Sequence, residues 1–294
     1  MQRVVTSMLS LAFMLASVIA NVSGDTRASE LLAQARAALG GEKNLAKVQG
    51  LSCSGTAQRM IGDRTVDGDM SIALQLPDKF WRTDSLAPLG PQGAIVVQGQ
   101  GINGDTLLRS SKVENAPPGA VIRTPPAPEH WSEAEAQGLR NSRAELARLT
   151  LALLAAAPAS MPLEFTSAGQ AESPDGKADV IDVKGPNSFA AKLFLDTKTH
   201  RPLMLMYRGV APRVVVQTQR ADAPPAAAGQ APNAAAPQGD MVDISMFLDD
   251  YKTVDGVLLP HHITRSIDGK PSEDWTFKTV KVNPAFAPDT FSGK

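Results

Sequence analysis

Alternation constrains this chain more than any other feature. From Asp69 to Leu76, apolar Met70, Ile72, Leu74 and Leu76 alternate with Asp69, Ser71, Ala73 and Gln75. Successive side chains on a strand point to opposite faces, so this pattern is a strand with one dry face and one wet face. Further strands are expected at Leu51–Ile61, Lys79–Asp84, Ala94–Gln98, Thr106–Ser110, Leu163–Ser167, Ala178–Lys184, Phe189–Asp196 and Leu203–Arg208. Others follow at Val214–Gln219, Met241–Tyr251, Val257–Ser266 and Trp275–Val282. Gly62-Asp63, Asn103-Gly104, Asp175-Gly176, Asp255-Gly256 and Asp268-Gly269 separate many of them with residues that tolerate positive φ at hairpin bends. Such spacing predicts a large antiparallel sheet built from consecutive hairpins.

Two helical segments stand apart from the strands. Ala28 to Leu39 places Leu32, Ala35 and Leu39 on one face and meets a stop at Gly40-Gly41, and Glu42 to Val48 adds another turn. In mid-chain, Ser132 and Glu135 have capping-box spacing at the start of a helix that Pro158 forbids from continuing. The half from Glu133 to Arg148 is charged outside Leu139 and Leu146, whereas Leu149-Thr150-Leu151-Ala152-Leu153-Leu154-Ala155-Ala156-Ala157 is apolar all round. At ~1.5 Å per residue that second half is about 13 Å long, far short of a bilayer, so protein or ligand must cover it. It is either a helix end packed in the core or a helix covering an apolar cavity.

The first residues read as an export signal. Arg3 precedes an apolar run from Val4 to Ala20, and small residues allow cleavage after Ala20 or after Gly24. Residues 1–24 are therefore expected to be removed, leaving 25–294 as one domain, periplasmic or secreted and not lipidated, since the single cysteine, Cys53, lies far from the apolar run. One cysteine makes no internal disulfide, and its place in a strand marks it as a small half-buried residue. Ala116 to Pro128 is a proline-rich loop, and Ala221 to Gly239, almost entirely Ala, Pro, Gly and Gln, is expected to be a disordered hairpin insertion or else a linker.

Composition excludes more than it identifies. Twenty-nine Lys+Arg against 30 Asp+Glu leave a formal charge of -1, so no basic field gathers nucleic acid, and aromatics at 5% offer no stacking platform. The four histidines, His130, His200, His261 and His262, lack metal-site spacing, and the adjacent pair cannot both face one way on a strand, so an exposed strand start after Pro260 is expected there. Gly99 to Gly104 is glycine-rich but opens no helix, and Asp67-Gly68-Asp69 and Asp249-Asp250 read as turn or solvent-face carboxylates. No metal or cofactor is expected, and no catalytic residues are identified.

The run Gly68 to Arg82, with its Leu76-Pro77-Asp78-Lys79-Phe80-Trp81-Arg82 turn, together with Val96-Val97-Gln98-Gly99 and the ending Phe286-Ala287-Pro288-Asp289-Thr290-Phe291, resembles the periplasmic outer-membrane lipoprotein-sorting carriers (LolA/LolB-like). The hairpins Leu193–Leu203 and Asp250–Pro260 are similar to later hairpins of that superfamily. The resemblance implies an α+β fold, mostly antiparallel: an unclosed half β-barrel with helices over its open face, around an apolar cavity that receives acyl chains. It implies a non-enzymatic, monomeric carrier of a lipid or acylated protein, with an envelope protein partner. The inward Met70, Ile72, Leu74 and Leu76 would line the cavity, Leu149, Leu153 and Leu154 would form the lid, and Arg82 matches an arginine that holds lid backbone in the carriers. A scaffold whose barrel is filled by its own side chains, and a hydrolase assembled from distant segments, are the alternatives.

Overall fold

A computed structural model describes residues 26–61, 64–86, 95–115, 131–174, 176–210 and 240–293. The expected signal peptide, the proline-rich loop, the strand at Val214–Gln219 and the Ala/Pro insertion lie outside these residues. The described residues open with helix α1 (residues 26–38) and the short α2 (Glu42–Leu45). Five strands follow: β1 (Gly50–Ile61), β2 (Arg64–Gln75), β3 (Lys79–Leu86), β4 (Ile95–Asn103) and β5 (Thr106–Glu114). Helix α3 (Trp131–Leu154) leads to β6 (Glu164–Ser173), β7 (Gly176–Lys184), β8 (Ala190–Asp196) and β9 (Pro202–Val210), and β10 (Met241–Val254), β11 (Val257–Ile267) and β12 (Lys270–Val282) complete the set.

All twelve strands form one antiparallel sheet in the order β5-β4-β3-β2-β1-β12-β11-β10-β9-β8-β7-β6. Two meanders, β1 to β5 and β6 to β12, meet where β1 pairs with β12, with Leu51 opposite Val282. The free edges, β5 and β6, do not pair with each other, so the sheet is a half-barrel rather than a closed one. Helix α3 lies in the chain between those edges and packs across β3, β4, β5, β8, β9 and β11, filling the concave side.

Turn chemistry sets the hairpins. Asp255-Gly256 and Asp268-Gly269 have φ of 49° and 79°, and 47° and 77°, the left-handed pairs that let two strands reverse with matching twist. The strands run further than the local alternation suggests. Gly99 to Asn103, beyond the strand end expected at Gln98, is strand, and Gly99 and Gly101 are needed there because a Cβ would fall 2.2 Å from the Trp81 ring and 1.9 Å from the Phe80 carbonyl oxygen.

Partners directly across a strand pair share a face, and the register divides the sheet into two sides. Ile72 faces Cys53 and Arg82, Leu74 faces Leu51 and Phe80, and Trp275 faces Ala57 and Ile263, all on the concave side. This side holds the main core, which α3 completes with Leu146, Leu149, Leu151, Leu153 and Leu154, and α1 with Ala28, Leu31, Ala35 and Leu39. Each leucine fully removed from water contributes ~1.5–3 kcal/mol before entropy is counted. The wet face expected of β2 is partly dry. Ala73, Trp81, Leu108 and Phe291 form a second cluster on the convex side with Phe286 against it, the two phenylalanine rings edge to face at 5.1 Å.

Three local expectations are corrected by tertiary packing. The buried face of α1 is Ala28, Leu31, Ala35 and Leu39, with Leu32 only partly covered. Ser132 already lies within helix α3, described over Trp131–Leu154, and the helix stops at Leu154, where Ala155 turns left-handed at φ 48°, before Pro158 has any say. Pro260 and His261 are not at an exposed strand start but buried inside β11, where Pro260 faces Tyr251 of β10.

Candidate functional site

The residues expected to line a cavity sit instead in the packed core. Met70, Ile72, Leu74, Leu149, Leu153 and Leu154 are 4% exposed or less, and Leu76, just past the end of β2, packs against them. No one of these seven borders the larger described cavity, and Met70 touches only a shallow groove beside Ser54, Ser71 and Thr83. Cys53 is buried rather than half-buried, and burial pushes its thiol up to about 12, so it stays protonated at neutral pH.

The larger cavity is an open cleft of about 880 Å³ along one flank of α3. Gln137, Arg140, Asn141, Ala144 and Arg148 recur at three- and four-residue intervals, so a single helical face forms one wall. Leu146, Met161, Phe189, Ala191 and Tyr207 supply apolar surface, joined by Ile102 from β4. The polar lining holds six cations, Arg140, Arg143, Arg148, Lys184, Lys192 and Arg208, against four carboxylates, Asp78, Asp105, Asp182 and Asp243. Three pairs form across the rim: Arg143 with Asp105, Lys192 with Asp182 at 2.5 Å, and Arg208 with Asp243 at 3.6 Å.

Behind the cleft, a layer of buried charge crosses the concave face. The Arg148 guanidinium stacks on Tyr207, 3.8 Å from the ring centroid, and 5.7 Å from that of Phe189. Arg265 donates to the Tyr207 hydroxyl at 2.5 Å and approaches Glu273 at 3.5 Å. Glu273 also accepts from Arg59 at 3.0 Å, Arg82 at 3.4 Å and the Trp275 indole at 2.9 Å. Burial alone would raise the Glu273 carboxyl, but Arg82, Arg265 and Arg59 outweigh it and hold the group at about 2. Burial would likewise lower Arg265, yet Tyr207, Glu145 and Glu273 hold it above the ordinary arginine range.

Arg82 belongs to this layer and not to a lid contact. It is 5% exposed, its guanidinium bonds Asp84 at 2.8 and 3.0 Å, and it lies 4.5 Å over the Trp275 ring. Arg36 of α1 does reach the backbone of α3, donating to the Leu154 carbonyl at 3.3 Å. That donor satisfies one of the carbonyls a helix leaves open at its C-terminus.

The two adjacent histidines of β11 point to opposite faces of the sheet. His261 turns inward, with Nδ1 3.1 Å from the Leu259 carbonyl. His262 turns outward and pairs through Nε2 with Asp274 at 2.8 Å, while Thr264 donates to the same carboxylate at 3.1 Å. Among the described residues no group of three or more His, Cys, Asp or Glu is placed to hold a metal ion. No described helix is long and apolar enough to cross a membrane.

Fold and site together define an unclosed antiparallel half-barrel, its concave face filled by a helix and flanked by an amphipathic cleft. No family model and no curated protein matches the chain. Among solved structures it is similar to a LolA superfamily protein from Nitrosomonas europaea, at 10% identity and a TM-score of 0.45, over 90% of this chain and 96% of that one. A DUF1329 family protein from Desulfovibrio piger is similar at 7% identity and 0.46, over 90% and 96%. A protein domain described as outer membrane lipoprotein-sorting, from Vibrio parahaemolyticus, is similar at 9% identity and 0.45, over 92% and 97%.

Proposed function

We propose that this protein is a non-enzymatic binder or carrier of an acyl-chain ligand, a lipid or an acylated protein, working as a monomer in the periplasm or outside the cell after loss of its leader. The observation that supports the reading is the cleft beside α3, whose volume of about 880 Å³ falls in the ~300–1,000 Å³ range of small-molecule sites. Its apolar surface suits a hydrocarbon chain, for which burial is worth roughly 25 cal/mol per Å². The ligand contacts in this reading are Leu146, Met161, Phe189 and Ala191, the core residues that border the cleft.

Native mass spectrometry of the protein purified from its own cell envelope is expected to show bound lipid. Ala144→Trp, which fills the cleft from its partly exposed position on α3, is expected to reduce uptake of a fluorescent fatty acid at least fivefold without lowering Tm. Undiminished uptake in that variant overturns the assignment of the cleft. One observation favours a second reading, an envelope scaffold: the concave face is already filled by α3 and its own leucines. Absence of bound lipid together with stoichiometric capture of an envelope protein would select it.

A further inference from the structure

The polar half of the cleft carries information that an acyl-chain site does not need. A hydrocarbon tail asks only for apolar walls, yet cations outnumber carboxylates six to four along this lining. After the rim pairs are taken out, Arg140, Lys184 and Arg148 remain against Asp78 alone. Arg140 bonds only the Gln137 amide oxygen among the described residues, at 2.6 and 3.2 Å.

Arg148 is the least satisfied of the three for its depth. Its side chain is 16% exposed, and its one ion pair, to Glu145, is 3.5 Å long. Its Nε and the facing Glu145 Oε1 have no hydrogen-bond partner among the described residues. A buried guanidinium with an unmet donor is costly, and native proteins satisfy nearly all such groups. Neighbouring charge does not relieve it. Across the layer behind it, Arg59, Arg82, Arg265 and Arg148 face Asp84, Glu273 and Glu145, so one positive charge is left over. The Arg148 guanidinium lies over the Tyr207 ring, 3.8 Å from its centroid, and borders the cleft, and arginine is the side chain suited to hold two oxygens of a carboxylate or phosphate.

We propose that the cleft is a site for a single-chain amphiphile with an anionic head group, carboxylate or phosphate, whose head is held by Arg148 with Arg140 and Lys184 behind it and whose tail lies on Phe189, Met161 and Leu146. This deepens the acyl-chain reading and rests on it. The charged head supplies orientation: it enters with its anion at the Tyr207 end.

Displacement of an uncharged fluorescent acyl probe separates the two levels. Oleate and oleoyl lysophosphatidate are expected to displace it about tenfold more tightly than methyl oleate, while inorganic phosphate alone displaces nothing. Arg148→Gln is expected to bring oleate down to the affinity of methyl oleate and leave the ester unchanged, and Arg148→Lys to restore part of the gap. Equal affinity for acid and ester in the unaltered protein, or an equal loss of both in Arg148→Gln, overturns the head-group assignment. Failure of every oleoyl compound overturns the acyl-chain reading itself, and displacement by phosphate alone replaces the amphiphile with a free-anion site. If Arg148→Gln does not fold, Arg140→Gln/Lys184→Gln carries the test: a threefold loss of acid-over-ester preference supports the proposal, and an unchanged preference overturns it.

Discussion

Glu273 anchors the concave face, and its surroundings make it a sensor of acid. Four groups donate to or pair with its carboxylate, and three arginines hold it at about 2 against 4.5 for an unconstrained glutamate. A folded-state pKa below the unfolded one contributes stability that is complete above about pH 4.5 and is lost as pH falls towards about 2. Urea unfolding at several pH values is expected to follow that limb. Glu273→Gln should flatten it and cost ~3–5 kcal/mol at pH 7, because it leaves buried guanidiniums uncompensated. Cys53 gives an independent readout at the same scale: its buried, protonated thiol is expected to resist alkylation in the native protein and to react fully once denaturant unfolds it. The inward charges were half legible. Arg82 lies two residues after Phe80 and Glu273 two before Trp275, so strand periodicity assigns them to the dry side. A charge in a strand nonetheless reads as solvent-facing until a partner 191 residues away in sequence is known to neutralise it.

Among the elements, the junction between α1 and α2 shows how little slack the packing leaves. Gly40 has φ 124°, and a Cβ there would lie 2.2 Å from the Gly256 carbonyl oxygen in the β10–β11 turn, where Leu258 also donates to the Leu39 carbonyl at 2.8 Å. Gly40→Ala is expected to destabilise by more than ~2 kcal/mol in thermal or urea unfolding, through backbone strain and clash together. The stop at Gly40-Gly41 was visible in the sequence, whereas the reason both helix and hairpin need it was not. Strand existence was legible almost throughout, because alternation and Asp-Gly turns are local signals. Strand length was not, because β4 runs through two glycines only by virtue of Trp81 and Phe80 on its neighbour. Between β9 and β10 the ladder closes at Val210 opposite Met241, so both ends of the intervening segment leave from adjacent points.

For the molecule as a whole, the half-barrel was legible and the location of its open space was not. Apolar alternation says that a face is dry without saying whether helix or ligand dries it. Here Leu149, Leu151, Leu153 and Leu154 do so, and the cleft falls where the helix changes character, at Arg148. The boundary between the charged and apolar halves of α3 was the available signal. The sheet also has a gradient of protection built into its order. Strands β1 and β12 are paired on both sides, and β5 and β6 on one. Native-state hydrogen exchange is expected to release β5 and β6 amides first and the β1–β12 ladder only on global unfolding. Uniform protection across the sheet would contradict that order.

The pairing of Leu51 with Val282 has a bearing on biogenesis. During translation β1 emerges early and β12 late, and throughout that interval one margin of β1 displays a bare row of amide donors and carbonyl acceptors. Such a margin is a template for strand addition from other molecules. Nascent chains that stop short of Lys270 lack β12 and so leave this margin of β1 without its native partner.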